Sequence, residues 1–506
     1  MLDRRHFSFA ATVIVVAVYI ATRFWNLTAS CLWFDEIFSV HATEHSWNTL
    51  FSFVVADLIH PPLSYMLLKV WITAGGESLL WLRLFPVTFA ILALVPFLLL
   101  CRELKLSRST QALALFLFAT NGALIKYSQE VRMYSMLVCL SLFSIWLFAC
   151  YFFKGKSLVL LIIVNILLIY THYFGWFILM TEVLAILMYQ RIKWRQMFVM
   201  FGICFIAFLP WTFTVWNAAH SGSELSQNIG WMQRPRIYEL SQFVLDLIEP
   251  FYYQASSVDP ASIYRVSIPL LVIITIAVGC YCARPRFQDD CEGNPLRFLV
   301  LFAATPLALA FVSSWLLPYS IWGTRHLVIV FVPFFLLLSN IITGLSIPAI
   351  RTAVLTFLLL LTGYSFALDL RRTELPFSWC QWQPLIQHAM TTNPENIYVF
   401  EDDVAYHIWY DLGHKNGFDP GKVVEVQNLP DIKADPAYFL PRGFDGVAKI
   451  NGADFAQSKF WIAYRAREFS ESAQPLKTYL ENGYRITEQH VVPARQENAI
   501  LVLLEK

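Results

Sequence analysis

The sequence predicts a polytopic α-helical membrane protein of about eleven spans carrying a small C-terminal α/β domain, and three observations lead there. Of the 506 residues, 57% are apolar and 14% are charged, against a charged share of roughly 25% in soluble domains. Apolar runs of roughly twenty residues, each able to cross a hydrocarbon core of about 30 Å as a helix, recur through the first three quarters of the chain. After Asp369 the composition turns polar and strand-like runs replace the long ones. A soluble globular enzyme is excluded. With 37 Lys+Arg against 36 Asp+Glu, the formal charge of +1 offers no basic field for nucleic acid.

The runs fall at about 7–24, 82–101, 109–126, 133–153, 157–171, 174–190, 197–215, 264–282, 297–316, 326–345 and 350–368. The first is read as an uncleaved span, since Thr22-Arg23-Phe24-Trp25 follows it in place of a small-residue cleavage site. Short loops rich in Lys and Arg stay in the cytoplasm. Arg4 and Arg5, Arg102, Lys105 and Arg108, Lys154 and Lys156, Arg191, Lys193 and Arg195, and Arg284 and Arg286 all fall on alternate loops. The N-terminus is therefore expected in the cytoplasm and the C-terminus outside. This sends a first loop (25–81), a loop at 216–263 and the tail to the extracytoplasmic face. Within the first loop, His60 to Ala74 is apolar but too short and punctuated to span, and is expected as an interfacial helix with Pro61 or Pro62 in its first turn.

Two domains are expected, 1–368 in the membrane with the functional first loop at 25–81, and 369–506 outside it. In the tail, Asn396–Phe400, Lys459–Ala463 and Ala499–Leu504 read as strands. Trp382–Met390 and Leu476–Asn482 read as helices, which fits a mixed sheet with covering helices. The 9 cysteines show neither a disulfide framework nor a zinc spacing, and most read as membrane-embedded thiols.

Polar residues at the outer face carry the chemical signal. Cys31-Leu-Trp-Phe-Asp-Glu-Ile-Phe-Ser39 sets Asp35 and Glu36 in an apolar, aromatic setting, where charge is costly. Neighbours on a helix point about 100° apart, so one carboxylate would work and the other support it; an acidic helix cap is the alternative. His60, the run Tyr127-Ser-Gln-Glu-Val-Arg-Met-Tyr134 and Gly323-Thr-Arg-His326 fall on the same side. Arg132 and Arg325 thus stand at outer helix ends, where each could snorkel to headgroups; together with a histidine and a carboxylate they suit a phosphate-bearing substrate better. Sugar transfer from a lipid phosphate needs this kit: one carboxylate to take the acceptor's proton, and cations for a leaving group that departs as an anion.

The ordered set Trp33-Phe-Asp-Glu36, His60-Pro-Pro-Leu63, Arg83-Leu-Phe-Pro86, Tyr127 to Tyr134, Thr171-His-Tyr-Phe-Gly175, Leu209-Pro-Trp211 and Thr324-Arg-His-Leu327 resembles the bacterial branch of the GT-C glycosyltransferases, which holds protein O-mannosyltransferases and the lipid A aminoarabinose transferase. The resemblance covers roughly residues 1–370. It implies an inverting transferase of the bacterial inner membrane with a polyprenyl-phosphate sugar donor and a glycan, lipid or protein acceptor. It also implies Asp35 as catalytic base with Glu36 beside it, and Arg132, Arg325 and His60 at the donor phosphate. Tyr127, Gln129, Glu130, Tyr134, His172, Tyr173 and His326 would line the substrate pocket. Phe85 and His326 depart from the smaller residue and Tyr that related chains often show. Some members of the class use a divalent metal at the carboxylates and others do not. The sequence shows no His-Glu ligand pattern that predicts one, and Asp57 or Glu44 would have to approach to complete a site.

Two other classes are separable. A transporter or flippase would carry ionisable residues near the bilayer midplane and repeated halves with broken helices; Glu182 is the clearest such residue and stands nearly alone. A non-catalytic assembly subunit would leave the outer-face charges without a task.

Overall fold

Side chains of Leu, Ile, Val and Phe leave the backbone as the only polar group to satisfy in an apolar medium, and a helix satisfies it internally. The computed structural model describes residues 2–220, 230, 232–251, 260–283, 295–371, 375–429, 432, 439–452 and 457–506. Arg284, Arg286 and Cys291, with the side chains of Arg4 and Arg5, lie outside the described residues. The helices are α1 (Leu2–Phe24), α2 (Phe34–Glu44), α3 (Trp47–Asp57), α4 (Leu63–Gly75), α5 (Leu79–Leu92), α6 (Leu94–Glu103), α7 (Arg108–Thr120), α8 (Gly122–Tyr127), α9 (Tyr134–Lys154), α10 (Leu158–Thr171), α11 (Gly175–Tyr189), α12 (Trp194–His220), α13 (Ile237–Ile248), α14 (Pro260–Cys282), α15 (Pro295–Leu316), α16 (Val328–Thr343), α17 (Pro348–Leu370), α18 (Trp382–Met390), α19 (Asp402–Tyr410) and α20 (Leu476–Glu481). Six strands follow one another in the C-terminal part: β1 (Ile397–Val399), β2 (Val423–Gln427), β3 (Ala448–Asn451), β4 (Lys459–Ala466), β5 (Arg485–Val492) and β6 (Asn498–Glu505).

Two compact units divide the chain. The first holds Met1–Leu27, Ile59–Ser221 and Met232–Arg372; the second holds Thr28–Leu58 and Thr373–Lys506.

In the first unit each apolar run of the sequence is helical. Among the described residues five stretches are long and apolar enough to cross a membrane: Leu79–Glu103, Tyr134–Lys154, Arg191–His220, Pro295–Leu316 and Pro348–Leu370. Val199, Ile206 and Phe213, seven residues apart on α12, are 61%, 66% and 66% exposed, an apolar stripe suited to lipid contact. The run expected at 109–126 divides into α7 and α8. Asn121 leaves the helix there with extended backbone, its Oδ1 caps Leu124 N–H at 3.0 Å, and its Nδ2 donates to Asp246 O at 2.9 Å. Helix α4 starts where the double proline predicts, with Pro62 at its N-cap. The turn between α10 and α11 is three residues long and tight: a Cβ on Gly175 would lie 2.9 Å from Leu168 Cγ and 3.0 Å from its carbonyl oxygen. Glycine is what permits that approach.

Glu182 is fully buried in a ring of hydrogen bonds across α9, α10 and α11. Ser144 Oγ lies 2.7 Å from both Glu182 Oε1 and Asn165 Oδ1, and Asn165 Nδ2 donates to Glu182 Oε2 at 2.8 Å. A hydroxyl has a single proton to give, so the three-membered ring closes when Ser144 gives its proton to Asn165 and residue 182 supplies a donor to Ser144. Glutamine can supply that donor. Glu182→Gln is therefore expected to leave the thermal transition of the purified protein in place, whereas Glu182→Ala breaks two interhelical bonds worth about 0.6 kcal/mol each and lowers it. Such a tie between helices suits structural cohesion better than an ion pathway.

The second unit is built on one mixed sheet of order β3-β2-β1-β4-β6-β5, parallel through β3-β2-β1-β4 and antiparallel through β4-β6-β5. One face buries Tyr398, Val424, Phe460, Ile462, Val502 and Leu504 with Tyr479 of α20. Trp461, fully buried, lies on the other face, where its Nε1 donates to Thr392 Oγ1 just after α18. Helices α2 and α3 belong to this unit: Phe34 packs on Tyr406, His41 Nδ1 meets Tyr406 Oη at 2.7 Å, and Arg442 donates to Ala56 O at 2.8 Å. Cys31 and Cys380 form a disulfide. This corrects the reading of the cysteines as unpaired: the two partners are 349 residues apart, so no local spacing marks them.

Candidate active site

The site of the first unit grows from the segment between α8 and α9. Arg83, on α5, donates to Gln129 O at 2.8 Å, and Gln129 Nε2 donates to Arg23 O at 3.2 Å and Trp25 O at 2.7 Å. Lys126 pairs with Glu130 at 3.4 Å, and the rings of Tyr127 and Tyr134 meet edge to face at 5.1 Å. These contacts make Tyr127, Gln129, Glu130 and Tyr134 a frame that aims Arg132.

Arg132 is buried and donates from Nη2 to His60 Nδ1 at 3.3 Å and from Nη1 to Tyr65 Oη at 3.4 Å. The double proline holds His60 in place, and α4 carries Tyr65. From His60 the cluster continues through His172, ring to ring at 5.5 Å, to His326 at 5.3 Å. Phe174 N–H donates to His172 Nδ1 at 3.1 Å, and His326 Nδ1 donates to Ile321 O at 3.2 Å. Tyr173 Oη accepts from Trp211 Nε1 at 3.1 Å, so Tyr173 braces the turn against α12.

Burial first, and then the positive charges of Arg132 and Arg325, hold His172 down to about 3. The same two causes, with neighbouring histidines, push His60 and His326 well below the ordinary imidazole range. Three neutral imidazoles and the Arg132 guanidinium thus share one buried region, and the half-buried Arg325 is near enough for its charge to act on all three rings. His60 accepts from Arg132 on Nδ1, so its proton resides on Nε2, which is buried and has no hydrogen-bond partner among the described residues. A donor left so costs about 1–3 kcal/mol and is suited to an incoming anion.

Tyr65 and Asp246 complete the site and were not marked by the sequence motifs, whereas Thr324 stands in the Thr324-Arg-His-Leu327 motif. Asp246 Oδ2 accepts from Thr324 Oγ1 at 2.5 Å and Oδ1 from Gln242 at 3.1 Å, with its carboxyl raised to about 6 by burial. It lies on α13, which has an apolar face, and an acid on the buried side of such a helix is the signal that could reveal it. Asp246→Ala releases the Thr324-Arg325-His326 turn. An interaction of about 1 kcal/mol predicts a several-fold loss in phosphate affinity, smaller than removal of Arg325 itself, measured by calorimetry with a lipid phosphate.

Asp35 and Glu36 lie in the second unit, on the first turn of α2, and differ sharply. Glu36 is fully buried and accepts Trp33 N–H at 3.1 Å, while Asp35 is partly exposed. The pair therefore splits into a helix-capping acid and an accessible one. Among the described residues neither belongs to a group of three His, Cys, Asp or Glu side chains close enough to share an ion, and Glu44 is engaged with His414 at 2.5 Å. Among the described residues Asp35 and Glu36 do not by themselves make up a metal site.

No protein-family model and no curated protein sequence matches the chain. Among solved structures, ArnT from Cupriavidus metallidurans bound to undecaprenyl phosphate aligns with a TM-score of 0.58 over 97% of both chains at 12% identity. The chain shares the fold of that ArnT structure. An oligosaccharyltransferase from Archaeoglobus fulgidus, in complex with Zn and sulfate, aligns with a TM-score of 0.49 at 13% identity over 80% of this chain and 61% of its own. Within this fold, His60, Arg132, His172, Arg325 and His326 come together, Tyr127, Gln129, Glu130, Tyr134 and Tyr173 lie around them, and Asp35 and Glu36 stand on α2.

Proposed function

We propose that the chain is an inverting glycosyltransferase of the bacterial inner membrane, moving a sugar from a polyprenyl-phosphate donor to a hydroxyl acceptor of a glycan, lipid or protein on the extracytoplasmic face. All eleven apolar helices span in this reading, with the N-terminus cytoplasmic, residues 1–368 as the membrane transferase and 369–506 as the outer domain. The observation that carries it is the cluster of buried Arg132, His60, His172 and His326 with half-buried Arg325 beside them, and a His60 Nε2 that has no hydrogen-bond partner among the described residues.

The acceptor oxygen attacks the anomeric carbon, and its proton passes to the Asp35 carboxylate. The bond from that carbon to the phosphate oxygen breaks, and the polyprenyl phosphate leaves with the electron pair. Arg132 and Arg325 stabilise the charge that gathers on the leaving group, and His60 gives its Nε2–H to a phosphate oxygen. Asp35 needs no proton-donating partner, because a phosphate leaves as an anion.

Native mass spectrometry in lipid nanodiscs tests the reading. The protein is expected to retain undecaprenyl phosphate and to reject undecaprenol, which lacks only the phosphate; equal retention of both would overturn the phosphate assignment. Transfer of sugar from a polyprenyl-phosphate donor to a hydroxyl, rather than its movement between leaflets, separates the enzyme from a flippase.

A further inference from the structure

We propose that His388, Glu488 and His490 form a binding site for a divalent transition metal, with zinc the best match, on the edge of the C-terminal sheet. His388 Nε2 and His490 Nε2 both point at Glu488 Oε1, at 2.5 Å and 2.7 Å, and the two rings lie 4.3 Å apart. The three ligand atoms fall within 4.8 Å of one another. Two imidazole nitrogens and one carboxylate are a recurrent zinc set, with a fourth position left to water or substrate. Zn–N bonds of about 2.0–2.1 Å set tetrahedral ligands about 3.3 Å apart, so side-chain rotations of less than about 1 Å admit the ion. The side chains are 43%, 37% and 33% exposed in the order His388, Glu488, His490, which leaves the fourth position open to solvent.

The backbone is arranged for this cluster. Residues paired across an antiparallel ladder share a face. Ile486 pairs with Leu504 on the core face, and a regular ladder would next carry Glu488 to Val502 and His490 to Ile500, both in the apolar core. A bulge between Ile486 and Glu488 shifts the register, so that Glu488 pairs with Leu503 and His490 with Leu501. The shift turns both side chains to the face of Trp461, where His388 stands in the last turn of α18 with its ring 5.9 Å from that indole. Bulges recur where a strand re-aims side chains for function. An ion there would join α18 to β5 and cover a strand that, among the described residues, pairs on one side only.

The site stands apart from the sugar-transfer reading and is tested on the full chain in detergent. After treatment with chelator, the protein is dialysed against ZnCl₂ and its zinc counted by plasma mass spectrometry, with the thermal transition followed in parallel. The wild type is expected to hold about one zinc more per chain than the His388→Asn/His490→Asn variant, and added zinc is expected to raise the transition of the wild type alone. Glu488→Gln, which preserves size and polarity, should weaken zinc binding while keeping the metal-free transition. Equal zinc content in wild type and both variants, or an equal zinc-dependent rise in all three, would overturn the proposal.

Discussion

Asp35→Asn in the purified, lipid-reconstituted protein is expected to lose a factor of about 10²–10⁴ in transfer rate while keeping its helix content and thermal transition. The substitution removes a proton acceptor and leaves volume and polarity nearly unchanged. Its neighbour supplies the control. Glu36 is buried and tied to Trp33 N–H, and glutamine can still accept that hydrogen bond through its amide oxygen. Glu36→Gln should therefore act chiefly on stability and retain most of the rate. Full turnover by Asp35→Asn, or a rate for Glu36→Gln as low as that of Asp35→Asn, would remove Asp35 from the base position.

Arg132→Ala and Arg325→Ala are each expected to weaken binding of undecaprenyl phosphate by about 1.5–3 kcal/mol, roughly 10- to 160-fold, measured by calorimetry in nanodiscs. Arg132→Ala should be the more severe, since it also withdraws the donors that reach His60 and Tyr65. Arg132→Lys should recover part of the loss, because an ammonium keeps the charge but lacks the planar fork. Unchanged affinity in both alanine variants would assign the arginines to headgroup anchoring.

The helices are legible in the sequence because apolar composition and length decide them locally. The limit of that reading is Asn121, a single polar residue in the 109–126 run whose carbonyl partners lie on α13, more than a hundred positions away. In the tail, β1, β4 and β6 stand out as continuous apolar runs, while β3 and β5 alternate or face solvent and leave little trace. The motif residues Arg132, His60, His172, Arg325 and His326 are legible as a set because each follows or precedes an apolar run on the same side. Asp246 and Tyr65 enter through tertiary contacts alone. Glu488 and His490 escape notice because a bulge, which no composition signal marks, decides their face.

The bond between Cys31 and Cys380 bears on the order of events during synthesis. At roughly 5–20 residues per second, Cys31 emerges about 20–70 s before the partner that lies 349 residues downstream. Through that interval the apolar helices of the first unit that follow α1 are made, and Cys31, just ahead of the α2 segment bearing Asp35, waits as a reduced thiol. Closure requires an oxidising compartment and a chain already complete past residue 380. A ribosome that stalls before residue 380 leaves the acid-bearing segment untethered, so closure of the bond doubles as a record that translation has passed the helices of the first unit.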